Sequence, residues 1–271
     1  MTEAAGFDNP PIVELALGVQ FSRLTKLTAG HFGLFWKELG DDWTKAGDGP
    51  PIEERFELFD RPKRSTPLGP QLKLEPYPWP GRFTLWHRNL DRLLQVQATR
   101  LHLNWRKRDG VYPRYQQIIS EFLAMFDRFR AFTQAMAVGD VRPNQWELTY
   151  IDAFAKRDYW NTPADWGSVL PGLFGPIFPF ADVGLAIEHR ATEASFELEP
   201  RRGRLHVAAG LGRVEGDPEE ALLLRMTARG PLGKGGASSV REGLDLGHEK
   251  AVQAFLRVTS DDAKLKWAAK P

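Results

Sequence analysis

At 271 residues, with 42% hydrophobic and 26% charged side chains, the chain is long enough to bury a core without staples and too apolar to be disordered. It contains no cysteine, which excludes disulfides, thiolate metal sites and thiol nucleophiles. Lys and Arg number 36 against 35 Asp and Glu, a net charge of +1, so no global field draws the chain to nucleic acid or an anionic membrane.

The first residues, Met1 to Asp8, carry neither a basic nor an apolar leader segment. The most apolar loop, Ser168 to Phe180, is broken by Pro171, Pro176 and Pro179 and is too short to span a bilayer, which gives a cytoplasmic expectation. From Ile12 to Phe21 the odd positions from Val13 are apolar, and Glu14, Ala16, Gly18 and Gln20 point the other way, which predicts a strand with one buried face. Thr28 is placed to cap a helix whose apolar side is Phe32, Phe35, Trp36 and Leu39. Asp41 to Pro51 reads as a polar loop, and Glu54 to Asp60 as a short strand. Arg61 to Gly81 holds six of the 20 prolines and reads as an irregular excursion. Arg82–Arg88, Arg92–Gln97 and Arg100–Arg106 then read as a meander of three strands with hairpin turns between them.

After Gly110, the spacing of Tyr115, Ile118, Ile119, Phe122, Leu123, Phe126 and Phe129 predicts a long helix ending near Val138. Gln145 to Phe154 is a further strand, and Thr162-Pro163 starts a helix that Pro171-Gly172 ends. Three or four strands are expected between Gly184 and Ala228, then a Gly-rich loop from Gly230 to Ser239. Helices are expected over Leu244 to Val258 and Asp261 to Ala269.

The two halves repeat one pattern. At an offset of 133 residues, Pro10, Glu14, Leu15 and Phe21 fall on the identical Pro143, Glu147, Leu148 and Phe154, and Phe122-Leu123 falls on Phe255-Leu256. The order strand, helix, four antiparallel strands, helix occurs twice, over residues 1–140 and 141–271, as one compact α+β unit. This duplicated order resembles the TATA-box-binding-protein-like architecture, a fold analogy that carries no function by itself. In such an arrangement the helices cover one face of the sheet and leave the other open.

On the first meander that open face bears Arg100, His102, Asn104 and Arg106, with Gln95 and Gln97 beside them, opposite Leu101, Leu103 and Trp105. Between Arg82 and Arg108, seven basic residues face Asp91 alone. Guanidinium groups on a rigid sheet favour an anionic partner, an acidic protein segment ahead of a nucleic acid given the nearly neutral chain. The matching face of the second half mixes Glu188, Arg190, Glu197, Arg204, His206 and Arg225.

Catalytic motifs are sparse. Gly230 to Ser239 lacks the Gly-Lys-Ser/Thr of a phosphate loop, and His248-Glu249 has no second histidine four residues on. No two of the six histidines lie at metal-ligand spacing, although convergence of His102 and His206 is open to halves related by a pseudo-twofold. No cofactor or metal is therefore expected. Glu14 and Glu147, at matching positions of the two halves, are the sharpest pair of titratable groups; facing each other they would serve as acid and base or hold a cation, and otherwise each sits on the polar face or anchors an adjacent backbone or an arginine.

Asn9-Pro-Pro-Ile-Val-Glu14, Leu94-Gln-Val-Gln97, Arg100-Leu-His-Leu-Asn-Trp-Arg106, Tyr115 to Phe122, Asn144 to Ile151 and Leu244-Asp-Leu-Gly-His-Glu249 carry a resemblance. With Phe255, Thr259 and Trp267, they make the whole chain similar to a sporadically distributed bacterial family of about this length. That family has no assigned activity, so the resemblance implies none. The expectation is a non-catalytic, cytosolic binding or interaction module with a basic sheet face for an anionic partner. The alternatives are a nucleic-acid binder using the Arg82–Arg108 face and an enzyme built on Glu14 and Glu147.

Overall fold

A computed structural model describes residues 9–59, 81–108, 112–175, 183–233 and 236–268. Nine strands form one antiparallel sheet: β1 (Ile12–Phe21), β2 (Trp43–Gly49), β3 (Arg82–His87), β4 (Arg92–Gln97), β5 (Arg100–Arg106), β6 (Pro143–Ala155), β7 (Ala191–Leu198), β8 (Gly203–Arg213) and β9 (Glu220–Pro231). Their spatial order is β2-β3-β4-β5-β1-β6-β9-β8-β7, so β1 and β6 pair at the centre and the later strands of each half extend outward from them. The helices are α1 (Ala29–Leu39), α2 (Arg114–Ala135), α3 (Trp166–Val169), the single turn α4 (Glu199–Arg202), α5 (Val240–Val258) and α6 (Asp261–Ala268).

Alternation decides which face is which. Leu15, Leu17, Val19 and Phe21 of β1 are fully buried against the helices, as are Leu101 on β5 and Leu148 and Phe154 on β6. The α2 stripe seats Ile118, Ile119, Phe122 and Phe129 in this core, and Phe129 meets Phe21 and Phe35 with ring centroids 5.9 and 5.4 Å apart. In α5 the buried side includes two glycines beside Leu244, Ala251 and Phe255. Cβ atoms on Gly243 and Gly247 would lie 2.2 and 2.7 Å from the Trp146 indole, so their absence lets the helix close over that fully buried ring. Trp267 of α6 then stacks on Phe255, with centroids 5.1 Å apart.

The strands of the first meander and β6, and the helices near Thr28, Tyr115 and Leu244, lie where the sequence places them. Three readings change. The loop expected over Asp41–Pro51 contains β2, an edge strand paired with β3 from Trp43↔His87 to Gly49↔Arg82. The strand expected over Glu54–Asp60 is not one: residues 50–58 form no ladder, and Asp60 lies outside the described residues. Three strands occupy 184–231, within the three or four expected there but one short of the four that the repeated order calls for, because 185–190 form no ladder and Ala191-Thr192 opens β7. Most of the Arg61–Gly81 excursion also lies outside the described residues. Among the described residues no helix is long and apolar enough to cross a membrane.

Candidate functional site

The second face of the sheet is polar, and its side chains fall into rows that cross the strands. Register puts Gln97, Arg100, Gln20 and Gln145 in one row, and Gln95, His102, Gly18, Glu147, Arg229 and Arg204 in the next. Two rows further along stand Arg106, Glu14, Ile151, Arg225 and Glu193.

The chain that leaves β2 crosses this face as a strap, residues 51–59, running over strands of both halves. Glutamines hold it by its backbone. Gln97 accepts from the Ile52 N–H at 2.9 Å and donates to the Ile52 carbonyl at 2.8 Å; Gln20 accepts from the Arg55 N–H at 3.0 Å and Gln145 from the Glu57 N–H at 3.4 Å. Arg100 donates to Gln20 at 2.6 Å and to the Glu53 carbonyl at 2.8 Å. At the far end the Glu57 carboxylate receives Arg204 at 2.6 Å, His206 at 2.8 Å and Arg229 at 3.4 Å. Burial opposes ionisation of Glu57, but the hydrogen bonds from His206 and Arg204 and the Arg229 charge outweigh it and hold its pKa below the ordinary glutamate value.

Five of the six face residues singled out from sequence are consequently interior. Arg100, His102, Asn104, Gln95 and Gln97 are between 3% and 8% exposed, so they are not the accessible surface expected of them. Their polar groups serve one another and the strap: Gln95 donates to Asn104 at 2.9 Å and receives Arg82 at 2.9 Å. His102 lies flat over Gly18, where a Cβ would stand 2.1 Å from its ring, with Glu147 at 3.8 Å. Burial drives the His102 pKa down to about 4, so at neutral pH the ring is uncharged.

Glu14 and Glu147 do not face each other. Glu14 is opposite Ile151 and Glu147 opposite Gly18, a four-residue displacement of about 13 Å along the strands. Each has its own cross-strand arginine: Arg106 Nε reaches Glu14 at 3.1 Å and Arg229 Nε reaches Glu147 at 2.6 Å. Asn104 also donates to Glu14. Burial works against the Glu147 charge, yet His102, Arg229 and Arg100 hold its pKa down to about 2. Two carboxylates four residues apart along the strands, each bound to its own arginine, do not form an acid–base couple. His102 and His206 take different carboxylates, and among the described residues no group of three or more His, Asp or Glu is placed to hold a metal ion.

Arg106, the sixth face residue, stands at the open end. There, away from the strap, a cavity of about 630 Å³ is walled by Arg106, Lys107, Arg108, Arg213 and Arg225 together with Glu14, Glu193 and Glu215. Arg106 bonds Glu215 as well as Glu14 and lies over the Trp86 ring at 5.1 Å. Lys107 is exposed and donates to Asn9 at 3.4 Å, and partial desolvation lowers its pKa. Arg225 is exposed and makes no ion pair among the described residues. The sequence shows Gln20 on the polar side of β1, but gives no signal for Glu57 as the partner of Arg204 and Arg229, which follow it by 147 and 172 residues. In comparisons with known proteins, no family model and no curated protein matches the chain.

Proposed function

We propose that the chain is a non-catalytic binding module that takes an acidic protein segment into the open end of its polar face. The observation that carries this reading is the exposed Arg225, without an ion pair among the described residues, lining with Lys107, Arg108 and Arg213 a concave site where five cations outnumber three carboxylates. Charge-assisted bonds from fixed guanidinium groups are the strong ones for carboxylate recognition. The interspersed Glu14, Glu193 and Glu215 repel a continuous phosphate backbone, which favours a short peptide over a nucleic acid. A bacterial cytosolic setting accords with this reading.

The architecture behind the module is read as a tandem duplication resembling the TATA-box-binding-protein-like fold. Three features support it. Ala16 pairs with Thr149, its own counterpart at the 133-residue offset, so β1 and β6 meet symmetrically about that point. The Glu14–Arg106 pair is matched by Glu147–Arg229. Tyr115 of α2 stacks at 3.8 Å on His248 of α5, again its counterpart at that offset.

Binding of a fluorescent ten-residue Asp/Glu-rich peptide, followed by anisotropy at low salt, tests the function. The Lys107→Gln, Arg225→Gln variant is expected to bind at least tenfold more weakly with an unchanged melting temperature. Equal binding by the variant removes the reading, and tighter binding of a single-stranded decanucleotide than of the peptide redirects it to nucleic acid.

A further inference from the structure

On the opposite, helix-covered face a second cavity, of about 260 Å³, lies where α2 and α5 meet over the β1–β6 pair. Its walls are mainly aromatic and aliphatic, with Tyr112, Tyr115, Tyr150, His248 and Met226 among them. The phenols are already committed: Tyr115 donates to Asp245 at 2.8 Å, and the Tyr150 hydroxyl is 2.7 Å from His248 Nδ1. These bonds, with the stacking of Tyr115 on His248 at 3.8 Å, fix the rings that line the cavity.

Among the described residues, one buried polar group of the lining is not committed. Asp152, on β6 opposite Ile12 of β1 and Leu224 of β9, is 4% exposed, and its Oδ2 has no hydrogen-bond partner among the described residues. A buried orphan carboxyl among apolar walls costs stability, and nothing in the core packing requires an acid there. An unsatisfied acid framed by electron-rich rings has the composition of a cation-recognising cage.

We propose that this cavity binds a small organic amine, with its ammonium group paired to the Asp152 carboxylate and its apolar body held between the tyrosine rings. The buried groups around Asp152 are neutral or acidic; the cations nearby, Arg114 in the lining and Arg241 of α5 beside Tyr115, are both exposed. Tyr150 on β6, Tyr112 before α2 and Tyr115 within it are neutral; His248 on α5 is kept neutral by burial, and Asp245 on the same helix is a further acceptor. The neighbours on β1 and β9, Ile12, Leu224 and Met226, are apolar. Because burial raises the Asp152 pKa to about 8, the empty site holds a proton at neutral pH. Entry of the ammonium displaces that proton to solvent, and one amine cation replaces one proton.

Calorimetric titration of the full chain with benzylamine, benzyl alcohol and benzoate between pH 6 and 8.5 tests this. Benzylamine is expected to bind and the other two to bind at least tenfold more weakly. Its affinity should rise about tenfold per pH unit below pH 8, with one proton released when buffers of different ionisation enthalpy are compared. Asp152→Asn is expected to weaken benzylamine by at least tenfold and to abolish the pH dependence. Equal affinity for benzyl alcohol or benzoate, a pH-independent benzylamine affinity, or no binding at 10 mM overturns the proposal. If the variant does not fold, the pH series on the unaltered chain decides alone. The sheet-face reading stands or falls separately, since the two sites lie on opposite faces.

Discussion

Asp152 and Glu147 stand five positions apart on β6 and titrate in opposite directions. Their faces explain it: Glu147 meets Arg229, Arg100 and His102, whereas Asp152 meets hydrocarbon and aromatic rings. The Glu147 pKa is lowered on folding, so its stabilisation is complete above about pH 4.3 and lost as pH falls towards about 2. Glu147→Gln should cost about 3–5 kcal/mol at pH 7, because two buried arginines lose a counter-charge, and progressively less below pH 4. An equal deficit at pH 2.5 and pH 7 in urea titrations would show that the charge is immaterial. The Asp152 pKa is raised, so stability is full below about pH 3.9 and declines as pH climbs to about 8. Asp152→Asn is thus expected to match the unaltered chain at pH 4 and exceed it by about 1–3 kcal/mol at pH 8 in ligand-free buffer. A variant less stable at pH 8 contradicts this assignment.

Among the elements, the helices and the meander were legible because each carries its partner surface in its own periodicity. Phe122 and Phe255, placed by spacing alone, are 0% and 8% exposed against the sheet. Phe→Ala at either should lower stability by about 3–5 kcal/mol, more at Phe122, as read by thermal unfolding. An unchanged melting temperature would mean that the packing does not depend on that ring. The misread elements have a different cause. β2 is Trp-Thr-Lys-Ala-Gly-Asp-Gly, rich in turn residues, and is a strand only because β3 supplies its hydrogen bonds. The strap alternates as an amphipathic strand does, but inside out: Glu57 is interior, while Phe56 and Leu58 are each 50% exposed. The surface beneath it is polar, so the usual rule for which side faces inward is inverted. The candidate site was half legible for the same reason. Alternation placed Arg100, His102 and Asn104 on the correct face, but not the chain that lies across them.

At the scale of the molecule the sheet has no seam. β1 and β6 pair along nearly their whole length, and each would be a bare, apolar edge without the other. Fragments 1–140 and 141–271, expressed separately, should each lack a cooperative thermal transition, and mixing them should restore one at a temperature below that of the intact chain. A sharp independent transition in either fragment would show that the halves are autonomous. The strap adds a second tie, since Ile52 and Arg55 are held from the first half and Glu57 from the second. Its long sequence separations predict late docking in folding, because distant contacts form only after loop closure has been met.

The manner of that anchoring also governs which substitutions the protein tolerates. At Ile52, Arg55 and Glu57 the glutamines read peptide N–H groups, which every residue but proline carries alike. Positions 52 and 55 are therefore free to drift in side chain while the crossing is kept, and proline is what they cannot accept. The constraint is displaced onto Gln97, Gln20 and Gln145. There asparagine is a methylene too short, and glutamate at Gln97 forfeits the donor to the Ile52 carbonyl. A segment with freedom in its own letters is thus specified by the letters of the strands it crosses.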